Sequence, residues 1–224
     1  IRRDFVANIS HELKTPIGAL SLLSEAVLGA KNDPEAVIKF ASKMQKESRR
    51  LTDLVQEIIN LSRLQDDDPL KRAQPFSIGE TIKEAIDQSR LNAEARKVEI
   101  VYKNDNSAIV NGDRDQVTMA IHNLIENAIN YSPDATRVAI AVTEADGICE
   151  ISVSDQGIGI PIKDQKHIFN RYFRAENALL TQGTGIGLNI VKTHLENLGG
   201  KIKFVSQENV GTKFNITIPN KAIK

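Results

Sequence analysis

The hydrophobic period changes once along this chain, and that change restricts what it can fold into. Through residues 1–66 apolar side chains recur three and four positions apart: Phe5, Ile9, Leu13, Ile17, Leu20, Leu23 and Val27, then Val37, Phe40, Ala41, Met44, Leu51, Leu54, Val55, Ile58 and Leu61. Beyond residue 97 the apolar positions alternate in short runs instead. A spacing of three and four lines one face of a helix, whereas a period of two lines one face of a strand. One chain must therefore build a helical unit and a sheet unit.

The helical unit reads as a hairpin. "GAKNDPE" (29–35) separates the two stripes, with Asp33 placed to cap and Pro34 at the first helical position. Two helices alone bury little apolar surface, and the second is apolar on more than one face. Pairing of two hairpins into a dimeric four-helix bundle is expected. "LQDDDPLKRAQPF" (64–76) is charged, carries two prolines and predicts a linker. The expected division is a hairpin at 1–66, a linker at 67–75 and a second unit at 76–224.

In the second unit Ser77 and Glu80 have capping-box spacing and open a helix running to about Arg96. Further helices are predicted at 114–131 and 186–198. "VEIVYK" (98–103), "TRVAIAVTE" (136–144), "CEISVSD" (149–155), "KIKFVS" (201–206) and "TKFNITIP" (212–219) read as strands. The fold class is α+β: the hairpin, then an α/β sandwich with a mostly antiparallel sheet and helices on one face.

Charge and cysteine content remove several function classes. Lys+Arg and Asp+Glu each number 29, for a net charge of zero, so the basic excess of a nucleic-acid surface is absent and no nucleic-acid partner is expected. Cys149 is the single cysteine, which excludes an intramolecular disulfide and a cysteine metal cluster. No apolar run approaches the ~20 residues of a membrane-spanning helix.

Three glycine clusters suggest a ligand. "DQGIGI" (155–160) ends a strand, "GTGIGL" (183–188) opens a helix, and "VGTKF" (210–214) joins the last two strands. Glycine lets backbone approach a bound molecule, and a helix N-terminus offers N–H groups to phosphate. Isolated, each cluster could be turn glycines. "GTGIGL" lacks the dinucleotide fingerprint spacing and a preceding strand, and no P-loop lysine motif exists. Between these loops and the linker lies "HNLIENAINYS" (122–132), where Asn123 and Asn127 share a helix face, with Glu126 and Asn130 alongside. Their side-chain oxygens suit Mg²⁺, a hard cation.

"HNLIENAINYS", "DQGIGI", "IFNRYFR", "GTGIGL" and "GTKF", in this order, resemble the N, G1, F, G2 and G3 boxes of the sensor histidine kinases, and "FVANISHELKTP" (5–16) resembles their H box. The resemblance runs from Phe5 to Phe214. It implies a sandwich of the histidine-kinase, gyrase and Hsp90 ATPase type joined to a dimerisation and phosphotransfer hairpin. By the same resemblance Asp155 bonds the adenine amine of ATP, and Gly157 and Gly159 admit the base. Asn127 ligates Mg²⁺ with Asn123 beside it. Tyr131 contacts phosphate or ribose, and Gly183, Gly185, Gly187 and Leu188 form the phosphate loop. Thr212 lies near the adenine end, and Phe173 and Arg174 belong to the F box, with Phe169 also matching it. "AENALLTQ" (175–182) is expected to be a short mobile lid. The chain departs from the family at Asn130, where many members carry a phosphate-facing lysine; Arg171 and Arg174 are the candidates to supply that charge.

His11 in "NISHELKTP" then has three readings. A zinc site of the H-E-x-x-H kind fails because Thr15 stands where the second histidine would be. A solvated helix histidine is the plain alternative. The family resemblance implies the third, a phosphoacceptor: neutral imidazole is nucleophilic near pH 7, and Glu12 can accept the ring proton. Pro16 just beyond removes a backbone hydrogen bond and is expected to bend the helix. Thr15 matches the E-x-x-T pattern linked to dephosphorylating the partner. The expected activity is ATP-dependent autophosphorylation on His11, transfer to an aspartate of a response regulator, and phosphatase action on that regulator. The partners implied are that receiver domain and a second copy of the hairpin. The chain is read as the cytoplasmic part of a longer protein anchored in a membrane through an N-terminal sensor region. Two alternatives remain open: a gyrase/Hsp90-type ATPase using Glu126 to activate water, and a nucleotide-binding pseudokinase scaffold.

Overall fold

The computed structural model of the protein describes residues 2–66, 73–103, 108–179, 181, 183 and 185–220, with side chains described for 13–48, 51–52, 55 and from 73 onward in those ranges. It divides into two compact units, Ile1–Asp66 and Asp67–Lys224.

The first unit is a helical hairpin of α1 (Arg2–Gly29) and α2 (Pro34–Asp66). Asp33 caps α2 by accepting the Ala36 N–H at 3.1 Å, and Pro34 occupies the first helical position, where its missing N–H costs nothing. α1 is one continuous helix through Pro16, which is buried.

The second unit follows the helix caps and strand alternation of its sequence. β1 (Gln74–Ser77) leads into α3 (Ile78–Ala95), then β2 (Glu99–Lys103), β3 (Ile109–Gly112), α4 (Arg114–Tyr131), β4 (Arg137–Ala145), β5 (Ile148–Ser154), α5 (Gly187–Asn197), β6 (Lys201–Gln207) and β7 (Gly211–Pro219). Residues 67–72 of the expected linker lie outside the described residues. Its last two, Gln74 and Pro75, are strand: β1 pairs antiparallel with β3, Pro75 opposite Asn111. Strands of four residues carry too little alternation to read from sequence, and this pair is held by a partner more than 30 residues away.

The five-stranded sheet has the order β2-β4-β5-β7-β6, and only the β2–β4 pair is parallel. Its inner face is built in rows. Tyr102, Ile140, Val153, Phe214 and Phe204 sit opposite one another across all five strands. The next row joins Val142, Ile151, Ile216 and Ile202. These rows meet the apolar stripe of α4, where Val117, Ala120, Ile121, Leu124, Ile125, Ala128 and Ile129 are buried. Burying each large aliphatic side chain contributes about 1.5–3 kcal/mol, so the α4-on-sheet layer is the main source of stability here. The same layer fixes α4, and with it the polar face carrying Asn123 and Asn127, against the glycine loops.

Candidate active site in the second unit

Asp155, just past the end of β5, is the centre of the site. Its Oδ1 accepts the N–H of Gly157 at 2.8 Å and the N–H of Thr212 at 3.0 Å. Both bonds fall on one oxygen, and Oδ2 makes no hydrogen bond among the described residues. Burial pushes the Asp155 carboxyl above its usual range, and the two backbone donors work against that rise. A further strand bond, Asp155 N–H to Thr212 O at 2.9 Å, ties the two residues together.

The glycines around it are required by contact. A Cβ on Gly157 would lie 2.6 Å from the Tyr131 carbonyl oxygen. Gly159 has φ +63°, and a Cβ there would fall 2.0 Å from the Gln207 carbonyl oxygen, inside any van der Waals radius. The loop 155–160 is thereby pressed between the C-terminal end of α4 and the β6–β7 hairpin. Ile158 N–H donates to Tyr131 O at 3.0 Å, and Asn209 N–H donates to Ile158 O at 2.8 Å.

Asn123 and Asn127 lie on the α4 stripe facing the second glycine cluster. Asn123 Nδ2 donates to Met119 O at 2.9 Å, and its Oδ1 is 2.9 Å from where a Gly187 Cβ would stand, so a side chain at the start of α5 would push the Asn123 carboxamide aside. The Asn127 carboxamide has no hydrogen-bond partner among the described residues. α5 begins with no side-chain cap, which leaves its N-terminus open to an anion. Gly183 lies near Tyr131, a Cβ there being 3.6 Å from the phenol oxygen. Burial raises the Tyr131 phenol, and the positive charge of the Arg174 guanidinium opposes the rise. Two carboxamide oxygens one turn apart match the small number of protein ligands Mg²⁺ takes when phosphates and water complete its shell. Among the described residues there is no cluster of three His, Cys, Asp or Glu side chains that would hold a metal alone.

The 169–174 segment is tied to the second glycine cluster. Tyr172 has φ +64°, a region costing about 1–3 kcal/mol for a residue with a Cβ. It is held there by its N–H, which donates to Gly185 O at 3.0 Å. Phe173 and Leu188 pack against the core, Phe173 with its ring centroid 5.5 Å from that of His167. Phe169 stacks edge-on to Phe204 at 5.9 Å. Arg174 Nη2 donates to Ala178 O at 2.6 Å and also to the carbonyls of Leu179 and Thr181, so it ties these three residues together. Arg171 Nε donates to Asn189 Oδ1 at 3.0 Å.

Glu126 and Asn130 occupy the neighbouring stripe of α4, and α3 claims both. Asn92 Nδ2 donates to Glu126 Oε2 at 2.7 Å and to Asn130 Oδ1 at 3.1 Å. Arg96 adds bonds to Asn130 O and Ser132 O, both at 2.9 Å. Asn92 and Arg96 carry no local signal in the sequence; each reaches residues more than 30 positions away.

In the first unit, His11 and Glu12 lie on α1 four and three residues before Thr15. The side-chain roles read for His11 and Glu12 lie outside the described side chains. Thr15 is exposed.

Comparison with known proteins assigns both units. Residues 112–222 match the family of histidine kinase-, DNA gyrase B- and HSP90-like ATPases, and residues 1–67 match the His kinase A phospho-acceptor domain. The sensor-like histidine kinase SenX3 of Mycolicibacterium smegmatis is 43% identical over 220 residues, which are 97% of this chain and 57% of that protein. The sensor histidine kinase WalK of Bacillus subtilis is 35% identical over 225 residues, covering 98% of this chain and 37% of WalK. The chain thus spans a little over half of SenX3 and a smaller share of WalK. Among solved structures, histidine kinase ThkA in complex with response regulator protein TrrA shares the fold, with a TM-score of 0.74 at 22% identity over 97% of this chain and 61% of that one. Matched in both units and along nearly its whole length, the chain belongs to the sensor histidine kinases.

Proposed function

We propose that this chain is the phosphoryl-transfer core of its parent protein: it binds Mg-ATP beside Asp155, phosphorylates His11 and passes the group to an aspartate of a response regulator. The observation that carries the reading is the half-buried Asp155 carboxylate, with one oxygen fixed by two backbone N–H groups and the other left for a purine amine. Gly157 and Gly159 give the base room. The uncapped start of α5, with Gly183, Gly185 and Gly187 before and in it, offers N–H groups to the phosphates. Asn127, with Asn123 beside it, would hold Mg²⁺, which supplies neutralisation of phosphate charge when bound.

His11 Nε2 then forms a bond to the γ-phosphorus as the bond to the ADP oxygen breaks, and Glu12 accepts the proton from Nδ1. Phosphohistidine is labile, so the group moves on to a carboxylate. Thr15, one turn beyond, positions a water that removes phosphate from the regulator. The receiver partner is supported by ThkA, whose solved complex contains a response regulator. A second copy of the hairpin is supported by its apolar surface: Leu22, Leu28 and Ile38 are 68%, 74% and 66% exposed in the single chain. Attachment of the parent protein to a membrane, with this part on the cytoplasmic side, belongs to the same reading and rests on the family resemblance. The ATPase alternative needs Glu126 to activate water, and the Asn92 bond disfavours it.

The test uses γ-labelled ATP. His11→Gln should lose all incorporated label and keep ATP affinity; undiminished labelling would overturn the reading. Thr15→Ala should keep labelling and lose regulator dephosphorylation, measured with acetyl-phosphate-loaded receiver. Equal loss of both would remove the role assigned to Thr15.

A further inference from the structure

Ser206 lies on the edge strand β6, outside every motif described above, yet its hydroxyl joins the two halves of the Asp155 pocket. It accepts the Ile160 N–H at 2.8 Å and lies 2.8 Å from Thr212 Oγ1 and 3.2 Å from Gly211 O. Gln165 reinforces the same junction, its Nε2 donating to Ile160 O at 3.0 Å and Ser206 O at 3.2 Å. Ile160 closes the 155–160 loop, and Thr212 gives its N–H to Asp155.

We propose that Ser206 is a positioning residue for purine recognition: it clamps the 155–160 loop onto β6 and sets the direction of the Thr212 hydroxyl beside Asp155. This rests on the reading of the Asp155 cleft as an adenine site. The Ser206 proton has two acceptors within reach, Gly211 O and Thr212 Oγ1. When it goes to Gly211 O, Thr212 donates to Ser206 and shows a lone pair to the pocket. When it goes to Thr212, the Thr212 proton is released towards a ligand. Adenine offers a donor, its amine, next to an acceptor, its ring N1; the carboxylate of Asp155 takes the first, and a donating hydroxyl serves the second. Guanine carries an acceptor, O6, where adenine has its amine, and a donor, N1–H, where adenine has its acceptor, so it meets both Asp155 and that hydroxyl with the wrong polarity. Ser206 therefore lets the pocket show the mixed pattern adenine requires, at the cost of turning two hydroxyl hydrogens, its own from Gly211 O to Thr212 Oγ1 and that of Thr212 from Ser206 to the ligand. Without the Ser206 hydroxyl, the half-buried Ile160 N–H loses its partner and the Thr212 hydroxyl loses its director.

The experiment compares the whole chain with Ser206→Ala and Ser206→Thr, reading ADP affinity by calorimetry, KM for ATP and kcat in autophosphorylation, and GTP competition. Loss of one directed hydrogen bond predicts a KM and a dissociation constant raised about tenfold in Ser206→Ala, with kcat at saturating ATP within about twofold of the parent. The preference for ATP over GTP should narrow, and Ser206→Thr, which keeps the hydroxyl, should restore affinity and preference. Unchanged ADP affinity in Ser206→Ala overturns the proposal, as does a fall in kcat with no change in KM. Because Ser206→Ala could disturb folding, its thermal midpoint is measured alongside; a weakened affinity that Ser206→Thr fails to restore despite a parental midpoint also overturns it. If the parent chain binds neither ADP nor ATP, the nucleotide reading itself is wrong, an outcome distinct from failure of Ser206 alone.

Discussion

Asp155 shows how a single carboxylate can be both costly and useful. Burial disfavours its charge, and two N–H donors on one oxygen recover part of that cost while aiming the other oxygen. Asp155→Asn should weaken ATP binding at least tenfold, since bonds to a charged acceptor contribute about 1.5–3 kcal/mol; calorimetry with a non-hydrolysable ATP analogue measures it. Because its pKa is raised, ATP affinity should begin to fall with acidification at a higher pH than an ordinary carboxylate would give. His194 in α5 makes the opposite case. It is 2% exposed, its Nδ1 lies 3.0 Å from Gln116 Oε1, its Nε2 has no partner, and burial pushes it down to about 4. The unfolded chain binds a proton near pH 6.5 and the folded one does not, so stability is present above that pH and is lost as pH falls towards 4. The effect is roughly 3 kcal/mol at full extent. His194→Gln should flatten the pH dependence of the urea midpoint between pH 7 and 4.5; an unchanged slope would contradict this.

At the scale of elements, helix starts were readable because their determinants are local. Asp33 and Asp113 both accept N–H groups of the helices they open, and Ser77 does so at 3.4 Å. Asp113 accepts from both Asp115 and Gln116 at the start of α4, the helix that carries Asn123 and Asn127. Asp113→Ala should cost about 1 kcal/mol of stability by thermal or urea unfolding, with ATP affinity little changed. The long strands were readable from alternation. β1 and β3 were not, because four residues hold no period and their pairing is distant. The glycine loops were visible as clusters, but what presses on them was not. Gln207, Ser206 and Gln165 meet the loop 155–160 across more than 40 positions or through an unremarkable glutamine. Asn130, singled out as a departure, finds its reason in Asn92, a residue with no signal of its own. Arg174, one of two candidates to supply charge at the phosphates, donates instead to the carbonyls of Ala178, Leu179 and Thr181 in this structure.

Across the whole molecule, two units with different periods carry complementary chemistry. Under the proposed function the second binds the nucleotide, and the first carries the histidine that takes the phosphoryl group. The order of motifs made that division legible, since each box is a short local pattern, whereas the hydrogen bonds that brace the cleft are long-range and had to be seen in three dimensions. The most direct measurement is the chemical stability of label transferred from γ-labelled ATP to the chain. The account predicts protein-bound label that is lost in acid, survives alkali and maps to His11. Free phosphate released with no label on the chain, or label that survives acid, would contradict it.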